Sequence, residues 1–211
     1  MIPKSKKRIA VLASGSGSNF QAIIDACESG YINGEVCLLI YNRKDAYANE
    51  RAKKQNIPAV YLNKVLFEGN KEKHDQKMLE LLVDYKIDLV VLAGYMSKVG
   101  KNVVDAYNHA IMNLHPALIP SFCGDKMYGS NVHEAVISYG VKLTGATVHF
   151  VDYTYDTGAI ILQQAVEVEY SDDAGSVAKK VLEIEHKLLP QAVKLFCENR
   201  LFVTGRRVEI K

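Results

Sequence analysis

Short apolar runs alternate with longer amphipathic segments over the first half of the chain. The runs are rich in β-branched residues and nearly continuous, as strands buried on both faces of a parallel sheet are. They predict strands at 8–14, 35–41, 58–62 and 88–94. The segments between them place apolar residues on one helix face and predict helices at 19–27, 46–55 and 71–85. Strands and helices alternating at this spacing indicate right-handed βαβ units and a mostly parallel sheet.

The pattern changes after residue 110. It predicts a strand at 111–115, two long strands at 141–151 and 159–168 joined by a loop at 152–158, a long helix at 173–197 and a hairpin-like tail at 201–210. No linker rich in Gly, Pro or Ser and no internal repeat interrupts the chain. We therefore expect one α/β domain over residues 1–211, with helices on both faces of a mostly parallel twisted sheet.

Composition and charge narrow the function classes. The 211 residues are 48% hydrophobic and 24% charged, which is typical of a globular protein with a core. A net charge of +2 argues against a dedicated nucleic-acid binder, and no apolar run reaches the roughly 18 residues of a membrane span. The apolar run after the basic start is too short for a signal peptide, and the four cysteines form no Cys-x-x-Cys pair. The expected location is the cytoplasm.

The segment Ser14-Gly-Ser-Gly-Ser-Asn19 lies between the first predicted strand and the first predicted helix. In an open α/β sheet this position faces the crevice where ligands bind. Its glycines allow a tight turn, and free N–H groups at a helix start attract an anion. The segment is neither a Walker motif nor a complete dinucleotide fingerprint, so we interpret it as a site for the phosphate of a small metabolite. The alternative is a tight turn in which Ser18 or Asn19 caps the helix.

Asn113 and His115 lie two residues apart on a predicted strand, so their side chains point to the same side. An amide N–H can donate to a developing oxyanion and an imidazole can transfer a proton, which suits acyl transfer. Alternatively, His115 satisfies a buried carbonyl and Asn113 caps a turn. If Asp156 approaches His115, its charge is expected to raise the pKa of the imidazole above about 6.5. Otherwise the carboxylates of the loop at 152–158 only stabilise a turn.

The other histidines and the carboxylates show no metal-ligand spacing. No pair matches the His-Glu-x-x-His pattern of zinc sites, and no cluster of carboxylates forms a calcium or magnesium loop. We therefore expect a mechanism without a metal.

Five segments follow one another along the chain: Ser14-Gly-Ser-Gly-Ser-Asn19, Leu92-Ala-Gly-Tyr-Met96, Asn113-Leu-His-Pro-Ala-Leu-Ile-Pro120, Thr147-Val-His-Phe-Val151 and Asp156-Thr-Gly-Ala-Ile-Ile-Leu-Gln163. In this order, from about residue 8 to about residue 201, they resemble the folate-dependent phosphoribosylglycinamide formyltransferases. The resemblance implies a Rossmann-like formyltransferase fold, with the phosphate side in the N-terminal half and the folate and catalytic side in the C-terminal half. It also implies 10-formyltetrahydrofolate as co-substrate and glycinamide ribonucleotide as acceptor, in purine biosynthesis.

The resemblance assigns roles to individual residues. The catalytic trio would be Asn113, His115 and Asp156. The nucleotide side would consist of Gly17, Ser18, Asn19 and Glu185. The folate side would consist of Lys71, Met96, Ser97, Lys98, Val99, Asn113, Asp152, Tyr153, Thr154, Tyr155 and Asp156. Two departures from the family pattern affect the folate side: Ser97 stands where many relatives have Arg, and the segment at 122–133 is longer and lacks a His just after its Gly.

Rival functions share parts of this pattern. The same Asn-x-His…Asp core occurs in methionyl-tRNA formyltransferases and in formyltetrahydrofolate hydrolases. The first class adds an RNA-binding domain and the second an N-terminal regulatory domain. We expect neither additional domain in this chain. A sugar-phosphate sensor without catalysis would need none of Asn113, His115 and Asp156. We therefore expect small-molecule partners, no nucleic acid, no membrane, and a monomer or homodimer.

Overall fold

The computed structural model describes residues 5–211. It contains one nine-stranded sheet with helices on both faces. The strands are β1 (Lys7–Ala13), β2 (Gly34–Tyr41), β3 (Ala59–Tyr61), β4 (Leu89–Leu92), β5 (Ile111–His115), β6 (Leu143–Phe150), β7 (Ile160–Glu167), β8 (Leu201–Thr204) and β9 (Arg207–Ile210). The helices are α1 (Ser18–Glu28), α2 (Ala48–Lys54), α3 (Lys71–Asp84), α4 (Lys101–Ala106), α5 (Ser130–Tyr139) and α6 (Ala174–Cys197), with a short 3₁₀ helix at Lys64–Phe67.

The strand order is β3-β2-β1-β4-β5-β6-β7-β9-β8. The five strands from β3 to β5 run parallel, as the βαβ pattern predicts. β6 pairs antiparallel with both β5 and β7, and β8 and β9 form the expected terminal hairpin. The predicted mostly parallel α/β sheet is confirmed, and the change of rhythm after residue 110 coincides with the antiparallel part.

The apolar core lies on both faces of the sheet. Along β1, Ile9, Val11 and Ala13 pack into the core of one face, whereas Ala10 and Leu12 pack into the core of the other. Successive strand residues point to opposite faces, so a strand covered on both sides must be apolar throughout. This explains the continuous apolar runs of the first half of the chain.

Three short elements were not predicted from the sequence: the 3₁₀ helix, α4 and α5. The helix α4 has only six residues, too few to show a periodic apolar face. The helix α5 buries a histidine, His133, beside Val132 and Val136, so its inner face is not purely apolar. Within residues 5–211, no helix has both the length and the apolar character that crossing a membrane requires.

Candidate active site

A cavity of about 530 Å³ opens at the carboxyl ends of the parallel strands β4 and β5. In an open α/β sheet this edge is where ligands bind. The cavity also receives residues from the start of α1, the loop between β5 and α5, the loop between β6 and β7, and α6. Most of the predicted site residues line it: Asn19, Met96, Ser97, Lys98, Val99, Asn113, His115, Asp152, Thr154, Tyr155, Asp156 and Glu185.

Four predicted residues lie outside this lining. Gly17 and Ser18 immediately precede Asn19 at the start of α1. The Tyr153 hydroxyl donates to the Asp105 carboxylate on α4, which turns it away from the cavity. Lys71 lines a separate, shallower depression over α3 and α4.

The expected position of Lys71 at the folate pocket is not met in this structure. Its Nζ lies 3.1 Å from Oδ2 of Asp75, four residues later on the same helix. The Asp75 side chain is only 6% exposed, so its carboxylate has little water and gains from the ammonium group. This ion pair holds the Lys71 side chain over α3.

His115 ends β5 and is 3% exposed. Its Nε2 lies 2.7 Å from the carbonyl oxygen of Phe122, and its Nδ1 lies 3.7 Å from Oδ2 of Asp156. A carbonyl oxygen only accepts hydrogen bonds, so Nε2 carries a hydrogen and donates it. Nδ1 is therefore the nitrogen that faces the carboxylate and is available to exchange a proton.

The pKa of His115 differs from the sequence-based expectation. Burial lowers the pKa of this imidazole, and it outweighs the Asp156 charge and the Phe122 carbonyl, which both raise it. The expected upward shift was therefore wrong for the free protein, because the sequence shows the charged neighbour but not the loss of water around the ring.

Asp156 is held by three donors. Its Oδ2 accepts the N–H of Gly124 at 2.9 Å, and its Oδ1 lies 3.3 Å from the amide nitrogen of Asn113 and 3.5 Å from Nε2 of His149. Burial raises the pKa of the Asp156 carboxyl, but the bonds from His149 and Gly124 and the charge of His115 together hold it below its usual range. The carboxyl is therefore ionised at neutral pH, next to His115.

His149 is a site residue that the sequence reasoning missed. β5 and β6 pair so that Asn113 faces His149, and the amide nitrogen of Asn113 lies 3.1 Å from Nε2 of His149. Nδ1 of His149 is 2.8 Å from the carbonyl oxygen of Phe150 and donates to it, and Nε2 lies between the amide of Asn113 and Oδ1 of Asp156. The sequence signal that could have identified His149 is its place in the Thr147-Val-His-Phe-Val151 segment. Its contact with Asn113 joins residues 36 apart in sequence, so no local pattern shows it.

The segment at 122–129, part of the longer stretch that departs from the family pattern, contacts two residues of the predicted catalytic trio directly. Phe122 supplies the carbonyl that orients His115, and Gly124 supplies an N–H to Asp156. Phe122 and Lys126 have left-handed φ angles of 49° and 64°, which non-glycine residues adopt only under local constraint. Residues 124–130 of this longer stretch line the cavity.

The predicted nucleotide side of the cavity starts at α1. Gly17 precedes this helix with φ 70°, and a Cβ there would lie 2.8 Å from Cβ of Ala48. Only glycine fits this turn without strain. No side chain caps the helix, so the alternative in which Ser18 or Asn19 acts as the cap is not met, and the first N–H groups stay free for an anion.

Asn19 and Glu185 meet across this end of the cavity. The amide nitrogen of Asn19 donates to Oε2 of Glu185 at 2.8 Å, across 166 residues of sequence. Glu185 is 8% exposed, and its burial raises its pKa, against the opposing effect of the Asn19 bond. Each side chain keeps an oxygen for a ligand, since Oδ1 of Asn19 has no partner among the described residues.

A hydrogen-bond chain fixes the segment after β4. The Ser14 hydroxyl accepts the N–H of Met96 at 2.8 Å and donates to Oδ1 of Asn42 at 2.7 Å. The amide of Asn42 donates to the Ser97 hydroxyl at 2.8 Å. The serine that replaces arginine in the family pattern thus contributes to holding this segment. Lys98 adds a cation 5.4 Å from the ring centroid of Tyr155.

Within the described residues, no group of three or more His, Cys, Asp or Glu side chains is arranged to hold a metal ion. The site can instead bring a proton-transferring imidazole, an amide and a carboxylate to one reacting centre. Such a set is suited to moving an acyl group between two bound molecules.

Comparison with known proteins identifies the family. The formyl transferase family matches residues 7–193. Phosphoribosylglycinamide formyltransferase of Haemophilus influenzae is 40% identical over 196 residues, covering 92% of this chain and 89% of that protein. The chloroplastic enzyme of that name from Arabidopsis thaliana is 40% identical over 93% of this chain. The crystal structure of glycinamide ribonucleotide transformylase 1 from Symbiobacterium toebii has a TM-score of 0.92 and 40% identity, covering 98% of this chain and 95% of that chain.

The chain spans 67% of the Arabidopsis protein and 62% of a Vigna unguiculata relative of the same name. The match nevertheless includes every strand from β1 to β7 and the whole cavity lining. The chain therefore belongs to the formyl transferase family and, within it, groups with the phosphoribosylglycinamide formyltransferases.

Proposed function

We propose that this formyltransferase moves the formyl group of 10-formyltetrahydrofolate to the amine of glycinamide ribonucleotide. The products are formylglycinamide ribonucleotide and tetrahydrofolate, in purine biosynthesis. The observation that carries the proposal is the meeting of Asn113, His115 and Asp156 in one cavity, although 43 residues separate Asn113 from Asp156. The names of the relatives support the choice of substrates.

His115 acts through Nδ1, because Nε2 is committed to the Phe122 carbonyl. When the amine attacks the formyl carbon, negative charge develops on the formyl oxygen. Protonated Nδ1 stabilises that charge and then supplies a proton for the departing folate nitrogen. Burial disfavours the charged ring, so the ionised Asp156 is needed to keep this form accessible.

Asn113 supplies the second donor to the developing charge. In the free protein its amide nitrogen is shared between Asp156 and His149. These contacts hold the amide plane in place before substrate arrives, which reduces the reorganisation needed in the reaction. When the amide donates to the formyl oxygen, one of these two contacts is lost. We assign the loss to the longer contact, the one to Asp156 at 3.3 Å.

The two substrates enter from different ends of the cavity. The nucleotide end consists of Gly17, Ser18, Asn19 and Glu185, with the phosphate at the start of α1. The folate end consists of the segment at 96–99 and the loop at 152–156, where Met96 is half exposed and available to an apolar ring. The reacting centre between them is the trio.

We further propose a single formyltransferase domain that acts in the cytoplasm without a metal. A family match over residues 7–193 and one sheet through the described residues support the single domain. The near-neutral charge of +2 supports small-molecule partners over nucleic acid.

The experiment that tests the function follows both products. Purified protein is mixed with glycinamide ribonucleotide and 10-formyltetrahydrofolate, and tetrahydrofolate and formylated nucleotide are quantified together. We expect equal amounts of both, and neither product with an Asn113→Ala, His115→Ala double variant. Release of tetrahydrofolate and formate without formylated nucleotide would instead identify a hydrolase.

A further inference from the structure

The helix α5 begins at the cavity without a cap. The N-cap residue, Gly129, has φ 57° and no side chain that could bond to the helix. The first turn contains no acidic residue. Gly129 and Ser130 both line the cavity. The first N–H groups of a helix lack partners within it and carry partial positive charge. An uncapped start that faces a cavity can therefore donate to an anion.

A buried, unpartnered imidazole lies one turn further along. His133 is 7% exposed and lines the same cavity, and its Nδ1 has no hydrogen-bond partner among the described residues. Residues three apart on a helix share a face, so His133 and Ser130 face the cavity together. Buried polar groups are almost always paired, because an unpaired one costs free energy. No step of the proposed mechanism uses this ring.

The position of α5 shows which substrate it would meet. The helix packs against α6, which contributes Ala178, Leu182 and Glu185 to the cavity wall. Glu185 is bonded to Asn19 at the start of α1. The start of α5 thus lines the same cavity as these residues of the nucleotide end and packs against the helix that carries Glu185.

The start of α1 offers an anion its free backbone N–H groups but no free side-chain donor at the cavity. Asn19 is the residue of that start that lines the cavity, and its side-chain amide already donates to Glu185. A phosphate group has three terminal oxygens, each of which accepts hydrogen bonds. A second set of donors would complete the site.

We propose that the start of α5 and His133 bind the phosphate of the nucleotide substrate together with the start of α1. This assignment rests on the proposed function and extends its nucleotide subsite to a second helix. Burial and the charge of His115 lower the pKa of His133, so in the free protein the ring is neutral at pH 7 and offers one N–H donor. A phosphate close to the ring would favour its protonated form.

Ser130→Asp separates this role from a structural one. An acidic residue in the first turn stabilises a helix through its dipole, so the variant should melt at the same or a slightly higher temperature. The same carboxylate would repel a phosphate at the helix start, so we expect the Kd for glycinamide ribonucleotide to rise about tenfold or more in calorimetry. Ser138→Asp adds the same charge to an exposed position of α5 that does not line the cavity, and should leave the Kd unchanged.

His133 is tested by removing and partly restoring its donor. His133→Phe keeps the ring volume and should raise the Kd and KM for the nucleotide about tenfold, with kcat at saturation retained, since a hydrogen bond to a charged group is lost. His133→Gln restores an N–H and should recover part of the affinity. Inorganic phosphate should compete with the nucleotide in the wild type, and its Ki should rise by a similar factor in both Ser130→Asp and His133→Phe.

The outcomes distinguish this inference from the proposed function. If the wild type neither binds the nucleotide nor formylates it, the proposed function fails. If it does both and Ser130→Asp binds the nucleotide as well as Ser138→Asp does, the phosphate assignment to α5 is wrong while the function stands. A higher Kd for a folate analogue, with the nucleotide Kd unchanged, would likewise overturn it and assign the anion to the folate.

Discussion

The two ends of the cavity are built differently. The proposed nucleotide end consists of the starts of α1 and α5 and of α6, so its groups are held by regular secondary structure. The catalytic and folate end depends on two loops, at 122–129 and 152–158, where Phe122, Lys126 and Asp156 have left-handed φ angles. Binding a phosphate needs fixed N–H groups, which a helix start provides without special side chains. At the catalytic end Asn113 and His115 lie on β5, and loops complete the centre by bringing Asp156 and the backbone groups of Phe122 and Gly124 to them.

The largest effect should come from breaking the catalytic pair. Asp156→Asn keeps the shape of the side chain but removes its charge, so the pKa of His115, already lowered by burial, should fall further. Less of the protonated ring is then present at neutral pH, and we expect kcat to fall roughly a hundredfold or more. In the wild type, kcat/KM should fall as pH rises through the pKa of His115. In the variant this fall should occur at lower pH.

A double-variant cycle tests whether the two residues act as one unit. His115→Ala should be at least as damaging as Asp156→Asn, and the double variant only slightly slower than the slower single. Turnover of the three variants at saturating substrates gives the answer. Losses that multiply would show that Asp156 does not act through His115.

The next effect in size concerns the helix-built end. Gly17→Val puts a β-branched residue at φ 70° and a Cβ 2.8 Å from Cβ of Ala48, so the turn before α1 must shift. We expect nucleotide affinity to fall about tenfold or more, folate affinity to remain, and stability to drop by about 1–3 kcal/mol. Calorimetry with each ligand and thermal melting measure these changes.

Gly205→Val is the matched control for Gly17→Val. Gly205 has φ 59° in the turn between β8 and β9, and a Cβ there has no heavy atom within 4 Å. It should therefore lower stability through backbone strain alone. If it weakened nucleotide binding as much as Gly17→Val does, the loss would reflect general destabilisation and not the phosphate site.

The same comparison shows how far sequence reasoning reaches. Ser14-Gly-Ser-Gly-Ser-Asn19 reveals the nucleotide end because a strand, a glycine turn and a helix are adjacent in sequence, and local pattern determines all three. The catalytic end depends on pairing between distant segments. Asn113 and His149 are neighbours only because of the register of β5 and β6, which no local pattern fixes.

Side-chain environment was the second limit of prediction. Family resemblance predicts Lys71 at the folate, whereas in this structure its side chain pairs with the buried Asp75, one helical turn away. The downward shift of the His115 pKa depends on burial, which is a property of the assembled fold. His133 was not predicted as a site residue because its burial and its place on the cavity wall are properties of the assembled fold.

A smaller effect should come from Glu185→Gln. Burial raises the pKa of Glu185, so the folded protein favours the protonated carboxyl more than the unfolded chain does. Ionisation of this group therefore lowers the stability of the fold as pH rises above its pKa in the unfolded chain, about 4.3. Gln mimics the neutral form at every pH. The variant should melt at a higher temperature than the wild type at pH 8 and at the same temperature near pH 4, while its nucleotide KM rises severalfold. Glu183→Gln, at an exposed position of α6, should show neither change.

The smallest expected effect is a change in mobility of the loop at 152–158. Its internal bonds are local, from the Thr154 N–H and the Thr157 hydroxyl to Asp152, and apart from those of Asp156 its outward contacts are exposed ones, such as Lys101 4.4 Å from the ring centroid of Tyr153. Such a segment opens at little cost and can admit a bulky ring before it closes. We expect a folate analogue to slow amide hydrogen exchange in this loop severalfold, and the nucleotide alone to slow exchange at the start of α1 instead. Equal protection of the loop with and without the analogue would show that the folate end is as preformed as the nucleotide end. The two ends would then differ in the type of backbone that forms them and not in mobility.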